Sequence, residues 1–252
     1  MVVLEVEGVT KHFSGVTALD GVTLRVQQQE TVGIIGPNGA GKTTLFNVVS
    51  GVCRPEKGRV LFRGKDVTGL RPDQICNRGL GRTFQIVQPF SHLSVLDNVA
   101  TGCLFGTDGE DKAGSLKVAR EKAREFLSLG RLEGRGKVLA GALTLSERKR
   151  LEMIRALATG ADVILLDEVM AGLTPTEAHE MVNTIKAFRD RLRLTILLIE
   201  HNVRLVMGLS DRIVVLDYGQ VIAEAMPEEV VRDPVVIKAY LGGRWAQRHC
   251  IA

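Results

Sequence analysis

Gly36-Pro-Asn-Gly-Ala-Gly-Lys-Thr-Thr44 is the stretch that decides the fold. Its spacing fits G-x-x-x-x-G-K-[ST], a loop that wraps phosphates in its own backbone. The flanks agree with the letters. Thr31-Val-Gly-Ile-Ile35 reads as a short buried strand, and residues 42–50 read as a helix that stops at Gly51. Phosphate chemistry explains the residue types. Glycines let successive N–H groups turn toward one anion, and the helix N-terminus adds partial positive charge. On this reading Gly36, Pro37, Asn38, Gly39, Ala40, Gly41, Lys42, Thr43 and Thr44 cradle a nucleoside triphosphate. Lys42 reaches the β- and γ-phosphates, and the Thr43 hydroxyl ligates Mg²⁺. A plain Gly-rich turn would require neither the Lys-Thr pair nor the strand ahead of it.

The chain has 252 residues, which suits one large α/β domain with room for a subdomain. Its 45% hydrophobic content supports a full core, and 25% charged residues argues against disorder. No apolar run approaches the roughly 20 residues of a membrane span. Met1-Val-Val-Leu-Glu-Val-Glu7 has no basic start and carries acids early, so no secretory signal is expected and the protein is placed in the cytoplasm. Cys53, Cys76, Cys103 and Cys250 form no C-x-x-C pair, which points to reduced thiols rather than zinc or disulfides. A net charge of +4 is mild. With aromatics at 4% there is no stacking platform for single strands, and no nucleic-acid partner is expected.

Residues 3–7 and 22–26 alternate as strands around the turn-rich Phe13-Ser-Gly15, and residues 58–62 begin a hairpin through Arg63-Gly-Lys65. Residues 79–84 lead to Gln85. Residues 93–104 and 115–129 have helical patterns, separated by a polar loop at 106–114 and followed by Gly130, Gly134 and Gly136. Residues 146–158 form a helix with Leu151, Ile154 and Ala158 on one face. We read 86–159 as a helical subdomain inserted between core segments 1–85 and 160–241. In the resumed core, residues 162–167 are a buried strand, and Thr174-Pro-Thr-Glu177 is a capping box for a helix that buries Met181, Ile185, Phe188 and Leu192. Residues 195–200 are another strand, with a helix from Asn202. Residues 212–216 and 220–224 pair around Tyr218-Gly219, and short helices flank Asp233-Pro234. Residues 242–252, with Trp245, form a loosely held tail.

Ligands in parallel α/β sheets sit at the carboxyl ends of strands. Asp167-Glu168 closes an apolar strand, so Asp167 is expected to hold a Mg²⁺-bound water and Glu168 to polarise the attacking water. His201 follows the 195–200 strand and is positioned to hydrogen-bond a γ-phosphate. Gln85, at its own strand exit, brings a neutral amide to the metal and the water. Phe13 either stacks on a base or belongs to the core; spacing alone does not choose.

The order of aromatic loop, phosphate loop, Gln, helical insert, Asp-Glu and His resembles the nucleotide-binding subunit of ABC transporters over essentially the whole chain. Arg82-Thr-Phe-Gln-Ile-Val-Gln-Pro-Phe90, Ser94-Val-Leu-Asp-Asn-Val99, Glu200-His-Asn-Val-Arg-Leu-Val-Met-Gly208 and Ile237-Lys-Ala-Tyr-Leu-Gly242 are similar to the LivG-type ATPases of branched-chain amino acid importers. Urea and amide importers share much of this pattern. The resemblance implies an α/β P-loop NTPase of ABC type, with a RecA-like core, an antiparallel β arm and the helical insert. It implies ATP and Mg²⁺ as ligands and a sandwich dimer of ATPases, with a LivF-like second chain favoured over a homodimer. It also implies two transmembrane permeases, a solute-binding protein acting indirectly, and a peripheral location on the inner face of the membrane. Soluble ABC ATPases of repair or translation, and a regulatory nucleotide-binding module, are the competing readings.

The signature segment departs from the family's L-S-G-G-Q. Here it is Leu143-Thr-Leu-Ser-Glu147. Thr144 keeps a hydroxyl for the partner's nucleotide, whereas Ser146 replaces a glycine and Glu147 a glutamine. Like charges ~4 Å apart repel by about 4 kcal/mol at an effective dielectric of 20. Glu147 is therefore expected to turn away or to pair with a cation, with Arg148, Lys149 and Arg150 nearby. Val169 stands where the family usually has Pro, and Thr174 where it commonly has Asp.

Overall fold

A computed structural model describes residues 1–107 and 113–241. The chain divides into two compact units, Met1–Leu70 with Leu197–Ala252, and Arg71–Ile196. In the first unit, strands β1 (Val2–Phe13) and β2 (Val16–Gln27) form an antiparallel pair. Both run well beyond the segments expected from alternation. Register shifts interrupt the period between Val6 and Val9, where Gly8 takes φ 58, and between Val9 and Lys11, where Gly21 on the opposite strand takes φ 64. Such bulges break a strict alternation without ending the ladder. Strand β3 (Thr31–Ile35) is buried at all five positions and leads to helix α1 (Lys42–Val49). Strands β4 (Lys57–Phe62) and β5 (Lys65–Asp66) complete an arm of order β2-β1-β4-β5.

The second unit opens with α2 (Pro72–Cys76), a short helix missed in the sequence. Its signal was present: Pro at the first helical position and Asp73 in the first turn. Strand β6 (Leu80–Arg82) precedes helices α3 (Val95–Phe105), α4 (Leu116–Leu129) and α5 (Leu145–Leu157). Strand β7 (Val163–Asp167) pairs in parallel with β6, with Arg82 opposite Leu165. Leu151, Ile154 and Ala158 are buried as their spacing requires. Helix α6 (Pro175–Leu192) has the expected capping box, with the Thr174 N–H donating to Glu177 Oε2 at 2.9 Å. Met181, Ile185 and Phe188 are buried, but Leu192 is 37% exposed. It is the helix's last residue, just before the left-handed Arg193 at φ 52, so its turn lies at the end of the apolar stripe. Strand β8 (Thr195–Ile199) is fully buried and crosses the division between the units.

The first unit resumes with α7 (Val203–Met207), capped by the Asn202 side chain. Strand β9 (Arg212–Asp217) pairs in parallel with β3 and antiparallel with β10 (Gln220–Ala225). Tyr218 and Gly219 both take positive φ, as a two-residue hairpin turn of this hand demands. Helices α8 (Pro227–Val230) and α9 (Pro234–Leu241) close the described chain. Residues 108–112 of the expected polar loop and the 242–252 tail, with Trp245, lie outside the described residues. Among those described, no helix is long and apolar enough to cross a membrane.

Candidate nucleotide site

The first unit carries the phosphate loop. Gly36 leaves β3 at φ 154, and a Cβ there would collide with the Leu216 carbonyl of β9. Gly41 has φ 102, and its Cβ would strike the Ala18 carbonyl of β2. The loop backbone is therefore seated too closely on two strands for side chains at these points. Its other side is open: Asn38, Gly39 and Thr43 are exposed, and nothing lies within 4 Å of a Cβ built on Gly39. The Ala40 carbonyl accepts from the Gly219 N–H at 3.1 Å, fastening the loop to the β9–β10 turn. The Lys42 side chain is folded back, Nζ donating to the Gly36 and Pro37 carbonyls at 2.7 and 2.9 Å. No acid occupies the first turn of α1. An open run of backbone, a helix start without carboxylates and a lysine curled over the loop fit a polyphosphate. Tyr240 of α9 is in hydrogen-bond contact with the Gly36 backbone, while burial pushes its phenol up.

Phe13 is the last residue of β1 and is 47% exposed, which removes the core alternative. The Lys11 ammonium stands 5.1 Å from its ring centroid. His201 is exposed, two residues past the end of β8.

The second unit carries the acids. Asp167 is 1% exposed at the end of β7, and its Oδ2 accepts from Arg82 Nη2 at 2.9 Å. Both side chains are almost fully buried, so removing either partner would leave an uncompensated charge, at about 3–5 kcal/mol. Glu168 is 8% exposed and takes φ 51, an uncommon conformation for a long side chain. Gln85 Nε2 donates to its Oε2 at 2.8 Å. Two sequence-derived candidates, Gln85 and Glu168, are thus brought into contact. Arg82 was missed as a partner of Asp167, although it lies on β6, which pairs with the strand that Asp167 ends.

The altered signature segment begins α5 in the same unit. Thr144 is the exposed N-cap, its hydroxyl accepting from the Glu147 N–H at 3.3 Å. Ser146 is buried at 4% exposure. Glu147 pairs with a cation as electrostatics required, but not with one of those beside it in sequence. Its Oε1 accepts from Arg135 Nε at 2.7 Å, and its Oε2 from the Thr144 N–H at 2.9 Å. Arg148 instead donates to the Leu143 carbonyl at 2.8 Å, and Lys149 to the Glu168 carbonyl at 2.9 Å. Burial pushes the Glu147 carboxyl up, but the Thr144 amide and the Arg135 guanidinium outweigh it and hold the group below its ordinary range. Glu152, one turn further, goes the other way: burial raises it, against the Phe84 N–H that its carboxylate accepts.

Residues 19–171 match the ABC transporter family model, and residues 220–246 match a branched-chain amino acid ATP-binding cassette transporter model. The chain is 37% identical to the high-affinity branched-chain amino acid transport ATP-binding protein BraF of Pseudomonas aeruginosa, covering 95% of this chain and 98% of that one. It is 39% identical to LivG of Escherichia coli K12, over 95% and 97% of the two chains. The ADP conformation of MJ1267, an ATP-binding cassette of an ABC transporter, superposes with a TM-score of 0.85 at 33% identity, covering 96% of this chain and 99% of that one. With its phosphate loop, its strand-end acids and these likenesses over nearly its whole length, the chain belongs to the ABC transporter family, as one of its ATP-binding cassettes.

Proposed function

We propose that this chain hydrolyses ATP to power a membrane importer for branched-chain or other hydrophobic amino acids. The full-length likeness to LivG and BraF supports the transported class. The observation that carries the chemistry is the 2.8 Å bond from Gln85 to the Glu168 carboxylate at a strand end. Glu168 orients water for in-line attack and takes its proton, while Lys42 moves from its loop carbonyls to the γ-phosphate and His201 hydrogen-bonds the same group. Thr43 and Gln85 would hold Mg²⁺ through oxygen, as that ion prefers, and Asp167 would hold one of its bound waters. When bound, the ion would supply charge neutralisation to the phosphates.

Residues 86–159 act as the helical subdomain, and Thr144 meets the nucleotide of a second ATPase, LivF-like or a copy of this chain. Of two transmembrane permeases, one docks its helices beside Gln85 and residues 86–99; the exposure of Phe84, Ile86, Phe90 and Leu93 supports this. The solute-binding protein acts through those permeases, and the chain sits on the inner face of the membrane. The mainly regulatory alternative rests on the altered signature as a whole; the Arg135 and Thr144 contacts of the Glu147 carboxylate count against its charge part, and turnover of the assembled complex decides between the two.

Mass spectrometry of what co-purifies from gently solubilised native membranes tests the assembly. Two polytopic permeases and a second ATPase are expected. A soluble partner set without membrane proteins contradicts the importer reading. Phe13→Ala should weaken ATP and ADP equally in a titration, by about 1–3 kcal/mol if base stacking is lost. Selective loss of one nucleotide argues against simple stacking. Ser146→Gly should preserve or raise ATPase activity of the assembly, because it restores the close backbone approach of a glycine. A severe loss would assign Ser146 a task of its own.

A further inference from the structure

Helix α5 carries three charged residues at three-residue steps, Lys149, Glu152 and Arg155, which share one helical face. Each reaches the segments that hold Gln85 and Glu168. Lys149 Nζ donates to the Glu168 carbonyl at 2.9 Å, and the Ala171 N–H donates to the same oxygen at 3.2 Å. Glu152 Oε1 accepts the Phe84 N–H at 3.0 Å, one residue before Gln85. The Arg155 guanidinium donates to the Gln88 carbonyl at 3.4 Å and lies 5.2 Å from the Phe90 ring centroid. Lys149 and Glu152 are 4% and 5% exposed, so neither serves solubility.

A left-handed glutamate persists only where its surroundings over-determine it. Here the carbonyl of Glu168 is held from one side by its own turn and from the other by Lys149. Its carboxylate is met by Gln85, whose backbone Glu152 fixes through Phe84. One turn of α5 therefore anchors both ends of the Gln85–Glu168 contact. We propose that Lys149 and Glu152 are positioning residues for this pair, so that the signature helix also sets the hydrolytic geometry of its own subunit. The inference rests on Glu168 being the water-orienting carboxylate.

The test measures kcat, KM and ATP affinity of Lys149→Met, Glu152→Ala and Glu152→Gln in the assembled transporter, beside Glu168→Gln. Lys149→Met and Glu152→Ala are expected to lower kcat by about 10- to 100-fold with ATP affinity unchanged, the scale of a misplaced reacting group. Glu152→Gln keeps an oxygen for the Phe84 N–H and should recover most of kcat. Thermal unfolding shows whether each variant is folded; should Glu152→Ala fail to fold, Lys149→Met and the isosteric Glu152→Gln still decide. Equal losses in the Ala and Gln variants, a rise in KM alone, or wild-type kcat in Lys149→Met would overturn the proposal. Slow Glu168→Gln beside a normal Lys149→Met refutes the positioning role alone. Normal turnover by Glu168→Gln refutes the underlying assignment.

Discussion

Glu168→Gln in the assembled transporter is expected to bind ATP with wild-type affinity and to turn over about 10²–10⁴-fold more slowly, the range for loss of a general base. The substitution preserves shape and keeps an oxygen that can accept the Gln85 amide now 2.8 Å away. It removes the charge that polarises water. Affinity survives because phosphate binding is assigned to the loop from Gly36 to Thr44, not to this carboxylate. The assay is steady-state phosphate release beside nucleotide titration, in an assembly where no second ATPase site turns over. Near-normal release would remove Glu168 from its role.

The second large effect is expected at Lys42. In the structure its ammonium donates to two carbonyls of its own loop, at 2.7 and 2.9 Å. Moving to a phosphate exchanges neutral acceptors for charged ones. Hydrogen bonds to charged groups contribute about 1.5–3 kcal/mol. Lys42→Ala should therefore weaken ATP by roughly 10- to 150-fold in a titration, with smaller loss for ADP, which lacks the γ-phosphate. Unchanged ATP affinity would contradict the phosphate-loop assignment.

What the sequence revealed and what it hid follows from the range of the interactions. The phosphate loop was legible because its strand, glycines, Lys42 and helix are contiguous, and local geometry requires each residue type. The α6 capping box and the β9–β10 turn were legible for the same reason. Bulged strands were cut short in the reading because Gly8 and Gly21 interrupt the alternation without ending the pairing. The ion pair between Arg82 and Asp167 joins residues 85 apart, so it depends on the parallel register of β6 on β7. No local pattern encodes that register. Glu147 illustrates the same limit at closer range. Its need for a cation was plain from charge, yet the helix turns its adjacent basic residues to other carbonyls, and Arg135, twelve residues upstream, supplies the pairing. Lys149 was read as a neighbouring charge, whereas its place on α5 gives it the Glu168 backbone.

The importer reading and the hydrolytic assignment meet in one measurement. It is uptake of radiolabelled leucine, isoleucine and valine into proteoliposomes that hold the purified complex, with ATP and the solute-binding protein supplied on their proper sides. The account predicts ATP-dependent accumulation with the native chain and none above background with Glu168→Gln. Accumulation independent of ATP, or equal with the Glu168→Gln chain, would contradict it.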